Sequence, residues 1–230
     1  MGSADRFGAL GDIHGDFENA RRIMMRHRDI PFWLCVGDVA DAEGRYEPLP
    51  VPLHFIKGNN EGFDAIAGGD LPANLHYLAN AVLRTIEGVR VAGLGGTFAP
   101  SWFDSPAADL PHPRKGSAKA TELADKRRHF VREDVEACKA LERIDVFMTH
   151  EAPRPFFVGQ GARRGHDAGK TPINEVLAAV KPRLHLFGHH HRLAEQERQG
   201  VRSVGLDLVS RSYLILDRES LSYEIIETQN

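Results

Sequence analysis

Short apolar runs, each followed by a glycine turn with polar side chains, recur along this chain and limit the folds open to it. Three of them follow one another near the start: Phe7 to Leu10 before Gly11-Asp12-Ile13-His14, Phe32 to Val36 before Gly37-Asp38, and Leu53 to Ile56 before Gly58-Asn59. Continuous apolar runs of this length are typical of strands that are covered on both faces. The segment between the first two has helical periodicity, which predicts a helix over 17–28. The pattern therefore predicts an alternating β/α chain, in which ligands bind at the carboxyl ends of the strands.

Two further strand-like runs, in the C-terminal half, also end in turns that contain histidine. The first, 145–149, delivers His150, and the second, 184–187, leads into Gly188-His189-His190-His191. Asp12 and His14 are two residues apart, as are His189 and His191. Because alternate side chains of an extended chain point the same way, each pair is expected to aim two ligand atoms at one point. Carboxylate and imidazole groups together are typical ligands of a divalent metal ion.

The remaining segments predict a hairpin, two helices and four short strands around a long irregular stretch. These elements are a hairpin of 81–86 with 89–94, an irregular stretch over 95–117, a helix over 119–143, a helix over 171–180 with Thr171 as its N-cap, and strands near 194–198, 201–205, 213–216 and 221–226. The stretch 95–117 is either a functional loop or irregular packing, and the residues leave both open. Lys126-Arg127-Arg128 is interpreted as a solvated face.

The bulk composition indicates one ordinary globular domain that spans residues 1–230. The chain is 42% hydrophobic and 27% charged, which excludes the compositions of disordered and fibrous proteins. A net charge of −3 argues against a broadly basic surface for nucleic acid, although not against a local one. Cys35 and Cys138 lack metal-type spacing and are interpreted as reduced core thiols. Because the chain has no long apolar run and no signal-peptide core, we expect a soluble cytoplasmic protein without a membrane partner.

The polar residues at the strand ends form a set with the chemistry of a metal centre. They are Asp12, His14, Asp38, Asn59, His150, His189 and His191. Two divalent ions about 3.5–4 Å apart require such a mixture of ligands, with one carboxylate that bridges them. Paired ions lower the pKa of a bound water, so that a metal-bound hydroxide can attack a phosphate ester without a protein nucleophile. Manganese is the favoured ion, and iron and zinc also suit these ligands.

The order of these motifs resembles the calcineurin-like metallophosphoesterase family and, loosely, its RNA lariat debranching branch. The matching motifs, between Asp12 and His191, are Gly-Asp-x-His, Gly-Asp-x-x-Asp, Gly-Asn-x-Glu, a strand-end His and Gly-His-x-His. The resemblance implies an α/β fold, a four-layer α/β/β/α sandwich with two mixed β-sheets flanked by helices. It also implies the following metal scheme: Asp12, His14 and His191 on one ion, Asn59, His150 and His189 on the other, and Asp38 as the bridge.

Position 60 departs from the family pattern, in which a histidine follows the Gly-Asn pair and protonates the leaving oxygen. Asn60 can donate a hydrogen bond to a phosphate oxygen, but it cannot supply a proton at neutral pH. Three explanations stay open. A good leaving group departs unaided, a histidine such as His112 or His166 acts instead, or catalysis is slow.

The resemblance and the residues together name the groups that would act on a substrate. Asp38 and Asn60 are the predicted catalytic residues, and Asn60, Arg163 and Arg164 are the predicted substrate contacts. A basic loop such as the one with these arginines can equally be a solvent-exposed surface.

These residues predict a binuclear metal-dependent phosphoesterase that hydrolyses small phosphoester substrates. A phosphodiesterase that acts on a nucleotide or on an RNA or DNA fragment is favoured. The alternatives are a phosphomonoesterase, including a protein phosphatase, and a non-catalytic scaffold on the same fold. Mono- and diesterases share the metals and differ in the loops that set the substrate, so the motifs do not separate them. A scaffold has no need of metal ligands, and the full ligand set argues against it.

Overall fold

Two large β-sheets form the centre of the computed structural model, which describes residues 5–112, 125–158 and 165–229. The described helices are α1 (Phe17–Arg26), α2 (Phe63–Gly68), α3 (Arg132–Lys139) and α4 (Thr171–Val180). The described strands are β1 (Arg6–Leu10), β2 (Trp33–Cys35), β3 (Leu53–Phe55), β4 (Leu75–Tyr77), β5 (Arg84–Ile86), β6 (Val89–Leu94), β7 (Thr97–Phe98), β8 (His129–Phe130), β9 (Val146–Thr149), β10 (Phe157–Val158), β11 (His166–Asp167), β12 (Leu184–Phe187), β13 (Ala194–Arg198), β14 (Val201–Gly205), β15 (Ser212–Asp217) and β16 (Tyr223–Glu227).

Each large sheet has a parallel centre that places the polar turns at one edge. The first sheet has the order β16-β15-β1-β2-β3-β4, and the second has the order β13-β14-β12-β9-β6-β5. Strands β1 to β4 are parallel to one another, and β6, β9, β12 and β14 are parallel in the second sheet. Because parallel strands end at the same edge, the turns after β1, β2 and β3 lie side by side, as do those after β9 and β12.

Three apolar layers hold the sheets and helices together. Between the sheets, Leu34 from the first packs in one cluster with Met148 and Leu186 from the second. The outer face of the first sheet packs against α1, and the outer face of the second packs against α3 and α4. This order of helix, sheet, sheet and helix confirms the four-layer sandwich with two mixed sheets that the resemblance implies.

Helix α1 shows how local sequence builds one of these layers. The carboxylate of Asp16 accepts a hydrogen bond from the backbone N–H of Asn19 at 3.2 Å and so caps the first turn. The buried residues of the helix are Phe17, Ala20, Ile23 and Met24, which share one helical face. The helix ends at Arg26, slightly before the predicted end at residue 28. The hairpin of β5 with β6 and the four C-terminal strands are also confirmed.

The helix predicted over 119–143 is confirmed only for Arg132–Lys139. Its first residues, up to 124, lie outside the described part, residues 126–128 form a short 3₁₀ helix, and β8 pairs with β7. Helix α3 begins only at Arg132, whose backbone N–H donates to the carbonyl of Phe103 at 2.7 Å. The carboxylate of Asp134 also accepts from the N–H of Val131 at 3.0 Å, which fixes that start. Phe130 is buried as part of a strand, so the apolar residues of this segment do not form one helical face.

Two further details differ from the sequence predictions. Thr171 is the first residue of α4, and its N-cap is Lys170. The stretch 95–117 contains β7 and a short 3₁₀ helix at Ala107–Asp109, and its residues from 113 onward lie outside the described part. Across the described residues, no helix combines the length and the apolar character needed to cross a membrane.

Candidate metal centre

The first group of possible metal ligands comprises Asp12, His14 and His191, whose ligand atoms lie within 4.8 Å of one another. Nε2 of His191 lies 3.1 Å from Oδ2 of Asp12 and 3.1 Å from Nε2 of His14. Ligand atoms bound at about 2.0–2.2 Å to one ion lie roughly 3–4 Å apart, so this spacing fits a single metal ion held by all three residues. The carboxylate of Asp12 is buried, and both of its oxygens lie 3.1 Å from the backbone N–H of His189 that donates to them.

The second group comprises Asp38, His150 and His189, and its ligand atoms also lie within 4.8 Å of one another. Asn59 joins this group, because its Oδ1 lies 3.1 Å from Nε2 of His150. The other ring nitrogen of His150, Nδ1, lies 2.9 Å from the carbonyl of Val36. In a neutral ring, a proton on Nδ1 donated to this carbonyl leaves the Nε2 lone pair directed at the site, as is typical of metal-bound histidines.

Asp38 lies between the two groups. Its Oδ2 is 3.5 Å from Nε2 of His14 in the first group and 3.5 Å from Nε2 of His150 in the second. Its Oδ1 accepts a hydrogen bond from the backbone N–H of Asn60 at 2.7 Å, which fixes the orientation of the carboxylate. One carboxylate oxygen therefore contacts both groups, the position that a bridging ligand must have.

Four of these residues have an unusual backbone conformation. His14, Asp38, His189 and His191 all have positive φ, between 46° and 68°. This left-handed region costs a non-glycine residue on the order of 1 kcal/mol, and such residues cluster at functional sites. The surrounding structure holds the first turn in place, since the backbone N–H of His14 donates to the carbonyl of Asp38 at 2.7 Å.

This conformation corrects the prediction from residue spacing. The two pairs do not lie on extended chain, because each contains left-handed residues. Asp12 and His14 still share one group, but His189 and His191 are divided between the two groups. The division follows the scheme implied by the family resemblance and contradicts the expectation that His189 and His191 aim at one point.

The contact between Asp38 and His150 shifts the pKa values of both residues in the second group. Burial alone would lower the pKa of His150, but the charge of Asp38 and the hydrogen bond to it raise that pKa. Burial alone would raise the pKa of Asp38, but the charge of His150 and the hydrogen bonds from His150 and Asn60 lower it. Burial, together with the charge of His150, lowers the pKa of His189 to about 3. In the first group, the hydrogen bond to Asp12 raises the pKa of His191.

Asn60 lies beside the first group, and Glu61 braces the loops around it. Nδ2 of Asn60 donates to the carbonyl of Ala40 at 3.2 Å and lies 3.5 Å from Nδ1 of His14. The buried carboxylate of Glu61 accepts hydrogen bonds from the N–H groups of Val39, Ala40 and Gly58 and from the hydroxyl of Tyr46. Burial raises the pKa of Glu61 to about 7. Glu61 therefore ties the turn after β2 to the turn after β3.

The remaining predicted substrate contacts and candidate acids are not all part of the described structure. Arg163 and Arg164 fall outside the described residues. His166 is exposed in β11, and His112 has its Nδ1 3.3 Å from the carbonyl of Leu110. Neither histidine has a described contact with Asn60. No replacement for the missing acid is therefore assigned to either of them.

Sequence reasoning missed a basic cavity beside the second group. The cavity has a volume of about 350 Å³ and is lined by Asn59, Thr97, Lys126, Arg128, His129, Glu151 and His189. The interpretation of 126–128 as a solvated face is wrong for Arg127, which pairs with Asp125 and Asp64, and for Arg128, whose Nη1 is buried. The available signal was the run of basic residues just before the apolar Phe130-Val131, but the pairing of β7 with β8 that places it here is not local.

Comparisons with known proteins agree with this architecture. A sequence profile of the calcineurin-like phosphoesterase family matches residues 5–193. The lariat debranching enzyme of Schizosaccharomyces pombe is 26% identical over 202 residues, which are 78% of this chain and 42% of that enzyme. The chain thus spans less than half the length of that relative.

Solved structures share the fold at low sequence identity. The Thermus thermophilus protein TT1561 superposes with a TM-score of 0.63 at 14% identity, over 98% of this chain and 99% of its own. A dimetal phosphatase from Danio rerio superposes with a TM-score of 0.56 at 13% identity, over 98% of this chain and 99% of its own. Because the family profile covers most of the sequence and the fold agrees with it, this chain belongs to the calcineurin-like phosphoesterase family.

Proposed function

We propose that this protein is a binuclear metal-dependent phosphodiesterase that acts on a nucleotide or a nucleic-acid fragment. The observation that carries the proposal is the position of Asp38, one oxygen of which lies 3.5 Å from an imidazole nitrogen of each ligand group. A carboxylate shared by two adjacent ions is typical of binuclear hydrolytic sites. The family membership supports hydrolysis of phosphoric esters.

The donor set fits two divalent ions. We assign the first ion to Asp12, His14 and His191, the second to Asn59, His150 and His189, and a position between them to Asp38. When bound, such ions activate water and neutralise the charge of a phosphate in an in-line displacement. Oxygen and imidazole ligands favour manganese, and they also accept iron or zinc.

The protein contributes the orientation of these ligands and of the substrate. The backbone N–H of His189 orients the carboxylate of Asp12, and the carbonyl of Val36 orients the ring of His150. The amide of Asn60 is near the first group, where it is suited to donate a hydrogen bond to a non-bridging phosphate oxygen. It provides no proton for the leaving oxygen, so we expect the rate of ester cleavage to fall as the leaving alcohol becomes less acidic.

The diester preference is supported by the relatives. Lariat debranching enzymes of Schizosaccharomyces pombe and Drosophila melanogaster are each 26% identical to this chain over the matched residues. Their name refers to a branched nucleic acid, which points to a nucleic-acid phosphodiester as the substrate class. The basic cavity beside the second ligand group agrees with a polyanionic substrate.

Metal analysis and a paired substrate assay test the proposal. After manganese reconstitution and dialysis, the protein should hold about two ions per chain and should cleave bis(p-nitrophenyl) phosphate with a higher kcat/KM than p-nitrophenyl phosphate. Asp38→Asn should lose most of the activity, whereas Asp70→Asn, at an exposed residue after α2, should retain it. A preference for the monoester would make the protein a phosphomonoesterase. Inactivity on both esters and on phosphopeptides would favour a scaffold.

A further inference from the structure

The basic cavity beside the second ligand group contains residues from both the metal centre and a separate segment. Asn59 and His189 belong to the ligand groups, whereas Lys126, Arg128 and His129 come from the segment before α3. A substrate held by the metals through one phosphate would therefore meet basic side chains within the same cavity. The volume of about 350 Å³ is large enough for a group the size of a phosphate.

Arg128 has a guanidinium nitrogen that lacks an acceptor. Its Nη1 is buried and has no hydrogen-bond partner among the described residues. The neighbouring Arg127 differs, because it pairs with Asp125 at 2.5 Å and with Asp64 at 2.9 Å. A buried donor without an acceptor is unfavourable, and more so when the donor is charged. The natural complement of such a guanidinium group is an anion with two or more oxygens, such as a phosphate.

The carboxylates near this cavity are already paired with other cations. Glu151 lies 3.3 Å from the ammonium group of Lys170, and it also accepts a hydrogen bond from the N–H of Phe98. Asp125 is occupied by Arg127. Both carboxylates therefore have partners other than Arg128.

The basic segment is held rigidly against the metal centre. The buried ammonium group of Lys57 donates to the carbonyls of Arg127 at 2.8 Å and His129 at 2.9 Å. Lys57 is two residues before Asn59, so one turn carries both a candidate ligand and the anchor of the basic segment. Gly96 permits the close approach, because a Cβ there would lie 2.6 Å from the carbonyl oxygen of Arg128. A site held in this way loses little conformational entropy when it binds a ligand.

The positive charges around the cavity affect the pKa of His129. Burial lowers the pKa of His129 most, whereas the hydrogen bond with the carbonyl of Thr97 raises it. The charges of Arg128, Lys126 and Lys57 lower it further, so that the pKa is about 4. Nδ1 of His129 lies 3.0 Å from the hydroxyl of Thr97, which fixes the ring. The imidazole is therefore neutral at physiological pH, and the cationic contribution to the cavity comes from Arg128 and Lys126.

We propose that Arg128 binds a second phosphate of the substrate, in a subsite next to the candidate metal ligands Asn59 and His189. The inference rests on the proposed phosphodiesterase function and narrows its substrate class. The preferred substrate is a nucleotide diester that carries another phosphate beside the one that is cleaved. That phosphate is either a terminal monoester or the next diester of a longer strand.

Oligothymidylates separate these cases from a substrate with one phosphate. With manganese, the wild-type protein should cleave the 5′-phosphorylated dinucleotide pTpT or the trinucleotide TpTpT with at least a tenfold higher kcat/KM than the dinucleotide TpT. A preference for pTpT alone identifies a terminal phosphate, and a preference for TpTpT identifies an internal one. Equal kcat/KM for all three would overturn the proposal.

Substitution of Arg128 assigns the preference to this residue. Arg128→Gln should lower the ratio of kcat/KM for the preferred substrate over that for TpT by about 10- to 100-fold, the factor expected for one charge-assisted hydrogen bond. Arg128→Lys should lower the ratio less, because charge remains while the planar fork is lost. Arg28→Gln makes the same charge change at an exposed position of the chain and should keep the wild-type ratio. An unchanged ratio in folded Arg128→Gln would overturn the proposal.

A binding measurement keeps the subsite testable even if the variant does not fold or the enzyme is inactive. Metal-free wild-type protein should bind thymidine 5′-monophosphate in calorimetric titration and should bind thymidine at least tenfold more weakly. Arg128→Lys should weaken the binding of thymidine 5′-monophosphate and leave the binding of thymidine unchanged. Equal binding of the two compounds by the wild-type protein would overturn the subsite. Inactivity of the manganese-loaded protein on every ester, with this difference in binding intact, would instead overturn the proposed function.

Discussion

Oδ2 of Asp38 lies 3.5 Å from Nε2 of His150, and this contact joins the two sheets of the sandwich. Asp38 follows β2 in the first sheet, and His150 follows β9 in the second. The candidate metal centre is therefore complete only when the two sheets pack against each other. Ions that bind only the packed state stabilise it by mass action.

Manganese should accordingly raise the thermal stability of the protein. At 100 times the dissociation constant, one ion adds about 2.7 kcal/mol, which corresponds to roughly 5–10 °C in Tm for a chain of this size. Asp38→Asn should lose most of this shift, because the residue contacts both ligand groups. Differential scanning fluorimetry with and without manganese measures the effect. The same shift in Asp38→Asn and in the exposed control Asp70→Asn would show that Asp38 holds no metal.

Replacement of Asn60 by histidine should restore acid assistance. The side chain at this position lies beside His14, with 3.5 Å between Asn60 Nδ2 and His14 Nδ1. We expect Asn60→His to raise kcat for alkyl esters, which leave poorly, by about 10²-fold, and to change kcat for nitrophenyl esters little. The measurement is the dependence of kcat on the pKa of the leaving group. A slope equal to that of the wild-type protein would mean that proton donation does not limit the rate.

Gly188 should tolerate no side chain. A Cβ at this position would lie 2.3 Å from Oδ1 of Asp12 and 2.6 Å from Cγ2 of Val36. Asp12 is buried, and its carboxylate accepts a hydrogen bond from the N–H of His189. It therefore cannot move aside without disrupting the first group of candidate metal ligands. We expect Gly188→Ala to reduce manganese affinity at least tenfold and to destabilise the fold by about 1–3 kcal/mol.

The matched control is Gly68→Ala, at the exposed end of α2. A Cβ there would meet only the side chain of Asp70, which is itself exposed and free to turn away. Isothermal titration with manganese and urea unfolding compare the two variants. Wild-type metal affinity in Gly188→Ala would contradict the assignment of Asp12 as a ligand.

His185 should make stability depend on pH. The ring is fully buried between the hydroxyls of Thr149 at 2.8 Å and Ser203 at 3.0 Å. Burial lowers its pKa to about 3, whereas in the unfolded chain the pKa is about 6.5. Between these values the unfolded chain binds a proton that the folded chain does not. The contribution of His185 to the free energy of unfolding is therefore fully present above pH 6.5. It declines as the pH falls, by up to about 1.4 kcal/mol per pH unit.

Urea unfolding of the metal-free protein between pH 4.5 and 7 measures this slope. His185→Gln keeps a polar side chain but does not titrate. It should lower the slope of the free energy of unfolding against pH by up to the amount that corresponds to about one bound proton. His166→Gln removes an exposed histidine and serves as the control. A wild-type slope in His185→Gln would show that the buried ring does not contribute.

The sequence could predict that the candidate ligand residues lie at strand ends, because strand ends and glycine turns are local features. Asp12, Asp38 and His150 each follow directly on an apolar run, and parallel strands bring such positions to one edge. The division of His189 and His191 between two groups was not predictable from spacing, since it depends on left-handed backbone at both residues. Arg128 was missed for a different reason: its place follows from the non-local pairing of β7 with β8 and from the bonds that Lys57 makes to its neighbours. The helix predicted over 119–143 is shorter than expected, because hydrogen bonds from the backbone N–H groups of Arg132 and Val131 fix its start at Arg132.

Anomalous diffraction from crystals soaked in manganese tests directly whether two ions bind on either side of Asp38. We expect two peaks about 3.5–4 Å apart, one among Asp12, His14 and His191 and one among Asn59, His150 and His189, with Asp38 in contact with both. A single peak away from Asp38, or no peak in crystals that hold manganese elsewhere, would contradict the binuclear centre.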